Sequence, residues 1–199
     1  MKKTTKPEME VIEFEDDDHV QYGDEIGEEF DPVKFDKELE EFRAKYPDCP
    51  PVNPIQVLDL IMKREYAEAI LRGEKKVEFR IISDHYANRI YDQAMVDFVD
   101  RHIDDSEVSM AVDYYISEIR PVQTIHFHNY DNSWFLDVSV RVNDFVSVIS
   151  DDVKFLHEQY DCHELDEELK RVQRAKMQNP PSYFYFEIGE VLDTNLKTE

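Results

Sequence analysis

Ile55-Gln56-Val57-Leu58-Asp59-Leu60-Ile61-Met62, Lys63-Arg64-Glu65-Tyr66-Ala67-Glu68-Ala69-Ile70-Leu71-Arg72-Gly73 and Glu74-Lys75-Lys76-Val77-Glu78-Phe79-Arg80-Ile81-Ile82 follow one another without a break. The first segment is an apolar run with the length of a strand, and it reads as mostly buried. In the second, Tyr66, Ala67, Ile70 and Leu71 lie at one-face spacing, which predicts a short helix over 64–72. Gly73 stands where a helix end takes a left-handed residue. The third segment alternates, as a half-buried strand does. Val77, Phe79 and Ile81 share one face; Lys76, Glu78 and Arg80 share the other. Strand, helix, glycine and strand in close succession thus place a carboxylate and a guanidinium side by side.

This stretch is also electrically unusual for its chain. The protein has 199 residues, with 46 Asp and Glu against 23 Lys and Arg, a formal net charge of -23. Residues 63–89 nevertheless hold seven cationic side chains against five carboxylates. The overall charge excludes a protein that coats nucleic acid non-specifically, because that work needs a broad basic surface. It leaves room for a small, locally basic pocket. Long duplex DNA is therefore not an expected partner.

Outward from this centre, residues 1–50 carry 17 carboxylates and 7 cationic side chains. From Glu8 to Asp31 there are twelve carboxylates and no Lys or Arg. We read residues 1–30 as an acidic, solvated tail; a nucleic-acid mimic or autoinhibitory arm is the sharper alternative. Asp31 suits an N-cap and Pro32 the first helical position. Phe35, Leu39, Phe42 and Tyr46 follow at helical spacing and are expected to dock on the core of the main domain. Pro47, Pro50, Pro51 and Pro54 form a linker, so residues 31–50 make an N-terminal helix and Pro-rich connection, and 51–199 the main domain.

Residues 83–120 read as a helical insertion, with Asp92 and Ser106 as caps of two helices. Residues 122–149 read as a hairpin: Val122 to His128, a turn at Tyr130-Asp131-Asn132-Ser133, and one or two strands from Trp134 to Ile149. Ser150 or Asp151 caps a helix with Val153, Leu156 and Tyr160, and a further helix holds Leu165, Leu169 and Val172. Lys170, Arg171, Arg174 and Lys176 form a second basic cluster. Tyr183-Phe184-Tyr185-Phe186-Glu187-Ile188 alternates, with one core face and one face presenting two tyrosines.

Chemistry-bearing patterns are few. His126 and His128 share a strand face, and an H-x-H pair can seed a metal site. Spacing identifies no third ligand among His85, His102, His157 and His163, so no metal and no cofactor is expected. Cys49 and Cys162 are far apart in sequence and match no metal spacing. No apolar run approaches the roughly 20 residues of a membrane span. The N-terminus leads into acid rather than an apolar segment, so we expect a cytoplasmic protein without a membrane partner. No P-loop, dinucleotide fingerprint or Ser/His/Asp order is present. Trp134, the single tryptophan, can stack a base or plug the core.

The run Glu65 to Arg80 resembles the signature of ASCH domains, members of the PUA-like superfamily. Their G-x-K-x-x-E-x-R mark is matched by Gly73, Lys75, Glu78 and Arg80. The resemblance covers residues 55–82 and extends more loosely to Phe184–Leu192. The stretch Ile125 to Trp134 is similar to one in ASCH proteins as well. The resemblance implies an α+β fold of a small β-barrel with flanking helices, here with an acidic N-terminal extension, and a motif lining a cleft beside the barrel. It implies a binding module for short single-stranded RNA or a modified nucleobase or nucleoside. Lys75, Glu78, Arg80, Trp134, Tyr183 and Tyr185 are the expected ligand-binding residues. The alternatives are a nucleoside- or RNA-processing enzyme, an amidohydrolase or ribonuclease with Lys75 and Glu78 as catalytic groups, and an acidic protein-interaction module without a nucleic-acid ligand. The acetylcytidine amidohydrolases of this superfamily have a reactive Lys in the glycine motif, as Lys75 stands here. They carry a Thr where this chain has Glu78, so an enzyme of this kind would need a different base.

Overall fold

A computed structural model of the chain describes residues 32–197, apart from the side chains of Pro32 and Asp113. The acidic-tail reading of residues 1–30 and the Asp31 cap lie outside the described residues. The elements run α1 (Pro32–Lys45), β1 (Ile55–Ile61), α2 (Arg64–Leu71), β2 (Val77–Ile81), α3 (Asp84–Ile90), α4 (Gln93–Arg101), α5 (Ser106–Tyr114), β3 (Val122–His128), β4 (Phe135–Ser147), α6 (Ser150–Tyr160), α7 (Asp166–Ala175) and β5 (Ser182–Thr194). The fold is α+β. No helix among the described residues is long and apolar enough to cross a membrane.

The five strands form one mixed sheet in the order β1-β3-β4-β5-β2. β1 and β3 are parallel, and the other neighbours are antiparallel. Among the described residues no ladder joins β1 to β2, so by pairing the sheet is open rather than a closed barrel. Its two edges still come within side-chain reach, because Arg80 on β2 donates to the Ile61 carbonyl on β1 at 3.0 Å.

β1 is half-buried rather than mostly buried. Leu58 and Leu60 point into the core while Val57, Asp59 and Ile61 face outward. An edge strand covered on one side has to alternate, whatever its overall apolarity. The main core joins these leucines to Ile125, Phe127, Leu136, Val138, Phe184, Phe186 and Ile188, with Ala67 and Ile70 of α2 closing it.

A second core lies on the opposite face, where Val77, Val146 and Tyr185 meet Val153 and Leu156 of α6 and Leu169 and Val172 of α7. β4 supplies both cores because its register shifts between Val140 and Asn143. The extra residue there flips the alternation, and such a bulge also bends the strand. Val138 and Val140 therefore face one core, and Val146 the other. Asn143 sits at this break and braces it: its side chain accepts from Val122 N at 2.8 Å and donates to the Arg120 carbonyl at 3.0 Å.

A third cluster gathers Tyr46 with Met95, Phe98, Val108, Ala111 and Ile116. α1 thus docks on the inserted helices α4 and α5, not on the sheet. The aromatic stripe needed a partner, and the insertion offers the nearest unfilled apolar surface. Asp92 caps α4 by accepting from Ala94 N and Met95 N. For α5 the cap is Asp105, one residue before Ser106, and it accepts from Glu107 N.

Candidate functional site

Lys75 is positioned by the end of α2. Gly73 N bonds the Ile70 carbonyl and Glu74 N the Ala69 carbonyl, both at 2.9 Å, which is the paired bonding of a Schellman turn. Gly73 has φ +72°, and a Cβ there would meet nothing within 4 Å. The requirement for glycine is conformational, not spatial. The turn sends the chain directly into β2 with Lys75 at the mouth and Glu78 and Arg80 on the inner face.

The three motif side chains make one network. Arg80 Nη2 lies 2.8 Å from Glu78 Oε1, and Lys75 Nζ lies 3.4 Å from Glu78 Oε2. Lys75 Nζ is also 2.5 Å from Glu164 Oε1 in the α6–α7 connection. Lys75 is 9% exposed and Glu78 6%. Burial pushes the Glu78 carboxyl above its ordinary value, and the Arg80 and Lys75 charges pull it back. Lys75 also stands over the rings of Tyr66 and Phe79, 5.7 and 5.9 Å from their centroids. Arg80 Nε is buried with no hydrogen-bond partner.

These groups line a cavity of about 860 Å³. Its walls come from the β1–α2 junction (Ile61 to Arg64 and Tyr66), from the motif (Lys75, Glu78, Phe79, Arg80), from the β3–β4 turn (Asn129, Tyr130, Ser133, Trp134) and from Glu164. Four cations, Lys63, Arg64, Lys75 and Arg80, face two carboxylates, Glu78 and Glu164. The first turn of α2 has no side-chain cap, so its free N–H groups add positive potential at the same wall.

Trp134 is both core and wall: it is 5% exposed within the main apolar cluster and still lines the cavity. Tyr130 beside it is 89% exposed. The structure therefore gathers Lys75, Glu78, Arg80 and Trp134, but not Tyr183 and Tyr185. The antiparallel register sets Glu78 opposite Phe186 and Arg80 opposite Phe184, while the tyrosines pair with Ile81 and Phe79 on the other face. There α6 and α7 cover them. Tyr183 donates to Glu168 Oε2 at 2.5 Å, and Tyr185 is buried against Tyr160 and Phe155.

Glu164 carries no local sequence signal, since it lies 89 positions from Lys75. Tyr66 counted as a core position by helical spacing, yet it is exposed at the cavity. The second basic cluster is largely paired on its own helix: Lys170 with Glu167 at 2.8 Å and Arg171 with Glu168 at 2.5 Å. On β3, His126 Nδ1 lies 2.5 Å from Asp137 Oδ1, and His128 Nδ1 lies 2.9 Å from the Asn129 carbonyl. No family model, curated protein or solved structure matches this chain in a comparison with known proteins.

Proposed function

We propose that this protein is a binding module for short single-stranded RNA or a modified nucleobase or nucleoside, held in the cavity around Lys75, Glu78, Arg80 and Trp134. The observation that carries this reading is the convergence of Lys75 and Arg80 about the buried Glu78 carboxylate on one cavity of about 860 Å³. Trp134, Tyr66 and Tyr130 supply flat faces for a base. The uncapped turn of α2 suits a phosphate. The resemblance of 73–80 to the ASCH motif supports the same reading, and the approach of the two sheet edges through Arg80 and Ile61 is compatible with a barrel-like PUA arrangement.

The buried ion network argues for recognition rather than for stability. Packed apolar side chains of similar volume stabilise a core as well as, or better than, a buried ion network. The pairing of Lys75 with two carboxylates favours binding over nucleophilic catalysis, which needs a free amine at the reacting atom.

Because Trp134 is the single tryptophan, its emission reports on the cavity directly. Titration with a panel of nucleosides and short oligoribonucleotides is expected to give saturable quenching by at least one member. Arg80→Ala is expected to weaken that binding about tenfold or more, in line with loss of a charge-assisted hydrogen bond. A panel that leaves the emission unchanged, or binding that Arg80→Ala does not alter, would overturn the reading.

A further inference from the structure

The connection between α6 and α7 holds a second cluster, separate from the cavity. His157 lies one turn before the end of α6, His163 lies in the connection, and Asp166 opens α7. One donor atom from each lies within 4.8 Å of the others. His157 Nε2 is 2.6 Å from Asp166 Oδ1, and His163 Nδ1 is 3.2 Å from Asp166 Oδ2. The two imidazole centroids are 4.2 Å apart.

We infer that His157, His163 and Asp166 form a site for a divalent transition metal of the zinc class. Two arguments carry it. The donor set is two imidazoles and one carboxylate, which suits zinc, cobalt or iron and not the hard cations that any acidic surface attracts. The connection that carries His163 is anchored at both ends: Asp161 takes a left-handed conformation at the end of α6, and Leu156 and Leu165 are buried on either side. The exposed Asp161 carboxylate lies nearby, 3.7 Å from His163 Nε2, beyond hydrogen-bond length. On binding, both imidazoles are neutral, with the ring proton on the nitrogen facing away from the ion and the lone pair of the other donated to it. Water completes the coordination from the open side.

The site reaches the cavity by one covalent step. Glu164 adjoins His163 and pairs with Lys75, so a bound ion fixes the segment that presents this carboxylate. The metal proposal does not depend on what the cavity binds.

The test uses the full chain freed of metal with a chelator, then titrated with Co²⁺. We expect one saturable equivalent with the visible absorption of tetrahedral or five-coordinate cobalt, displaced by Zn²⁺ and unaffected by a large excess of Mg²⁺. His163→Ala, whose side chain is 58% exposed and so keeps the fold, is expected to weaken Co²⁺ binding by more than about tenfold. The pair His126→Ala with His128→Ala leaves it unchanged. Absence of a saturable band, competition by Mg²⁺, or binding that survives His163→Ala and disappears with the His126 and His128 changes would each overturn the assignment.

Discussion

Glu78 shows how one position can be legible in type and illegible in detail. The alternation Val77-Glu78-Phe79-Arg80 set the carboxylate and guanidinium on one face, and the 2.8 Å pair is there. What the strand pattern could not give is the far partner, Glu164, because long-range contacts leave no local period. Glu78→Gln keeps an acceptor for Arg80 and removes the burial penalty on the charge. We expect it to cost about 1–2 kcal/mol, because either neutral replacement leaves Arg80 without its anion, whereas Glu78→Leu also removes the acceptor and is expected to cost about 3 kcal/mol or more. The folded-state carboxyl titrates above its ordinary value, so Glu78 contributes stability that is fully present below that value and declines as pH rises through the folded one. The stability of wild type relative to Glu78→Gln should therefore fall with rising pH above the ordinary carboxylate range. Equilibrium denaturation across mildly acidic pH reads both effects; a rising difference would reverse the assignment. Gly73 offers a cleaner case. Its Cβ would touch nothing, so Gly73→Ala is expected to cost only the left-handed backbone preference, about 1–2 kcal/mol, read as a shift in denaturant midpoint at unchanged slope.

Elements were legible wherever a period and a punctuating residue agreed. Val122–His128 has the bounds its sequence gives, and Pro32, Asp92 and Gly73 open or close the elements as their chemistry requires. Partners of elements were much less legible. The Phe42 and Tyr46 stripe marks an apolar face but not its destination, and α1 finds α4 and α5 rather than the sheet. β5 is the sharper example. Its alternation separates Tyr183 and Tyr185 from Phe184 and Phe186 correctly, but both faces turn out covered, because α6 and α7 pack where a cleft was expected. The tyrosines then act as covered phenols. Burial, and then the bond to Glu168, push Tyr183 up to about 12. Burial pushes Tyr185 in the same direction. Each contributes stability that is fully present below the ordinary phenol value near 10 and is lost as pH rises through the folded value. The contribution of these phenols to thermal melting should accordingly be constant up to about pH 10 and fall beyond it, with a shallower alkaline fall in Tyr183→Phe. An alkaline profile identical in wild type and Tyr183→Phe would show that the phenol is solvated.

At the scale of the whole molecule, a charge of -23 and a cavity with four cations pull in opposite directions. Their contest sets which nucleic acids could be held. A long duplex presents one phosphate charge per roughly 1.7 Å of axis, so most of it would lie against an acidic surface while a few phosphates reached the cavity. The surface repulsion extends about one Debye length, near 8 Å at physiological ionic strength. In the proposed mode a short single strand would avoid most of that penalty, because a base would enter the cavity beside Trp134 and Tyr66 and only the adjoining phosphates would meet Lys63, Arg64 and the α2 turn. Each neutralised phosphate releases counterions and contributes about 0.7 to the slope of log affinity against log salt for a single strand. With at most two or three phosphates engaged, the slope should stay near -2 or shallower. Repulsion from the acidic surface is itself screened by salt and flattens the dependence further. Fluorescence titrations of a short oligoribonucleotide and of a duplex DNA at several salt concentrations separate these cases. We expect measurable, weakly salt-dependent binding for the first and none at physiological salt for the second. Tight duplex binding with a steep slope would mean that a basic surface outside the cavity dominates, and would overturn a recognition mode built on Arg80 and Trp134.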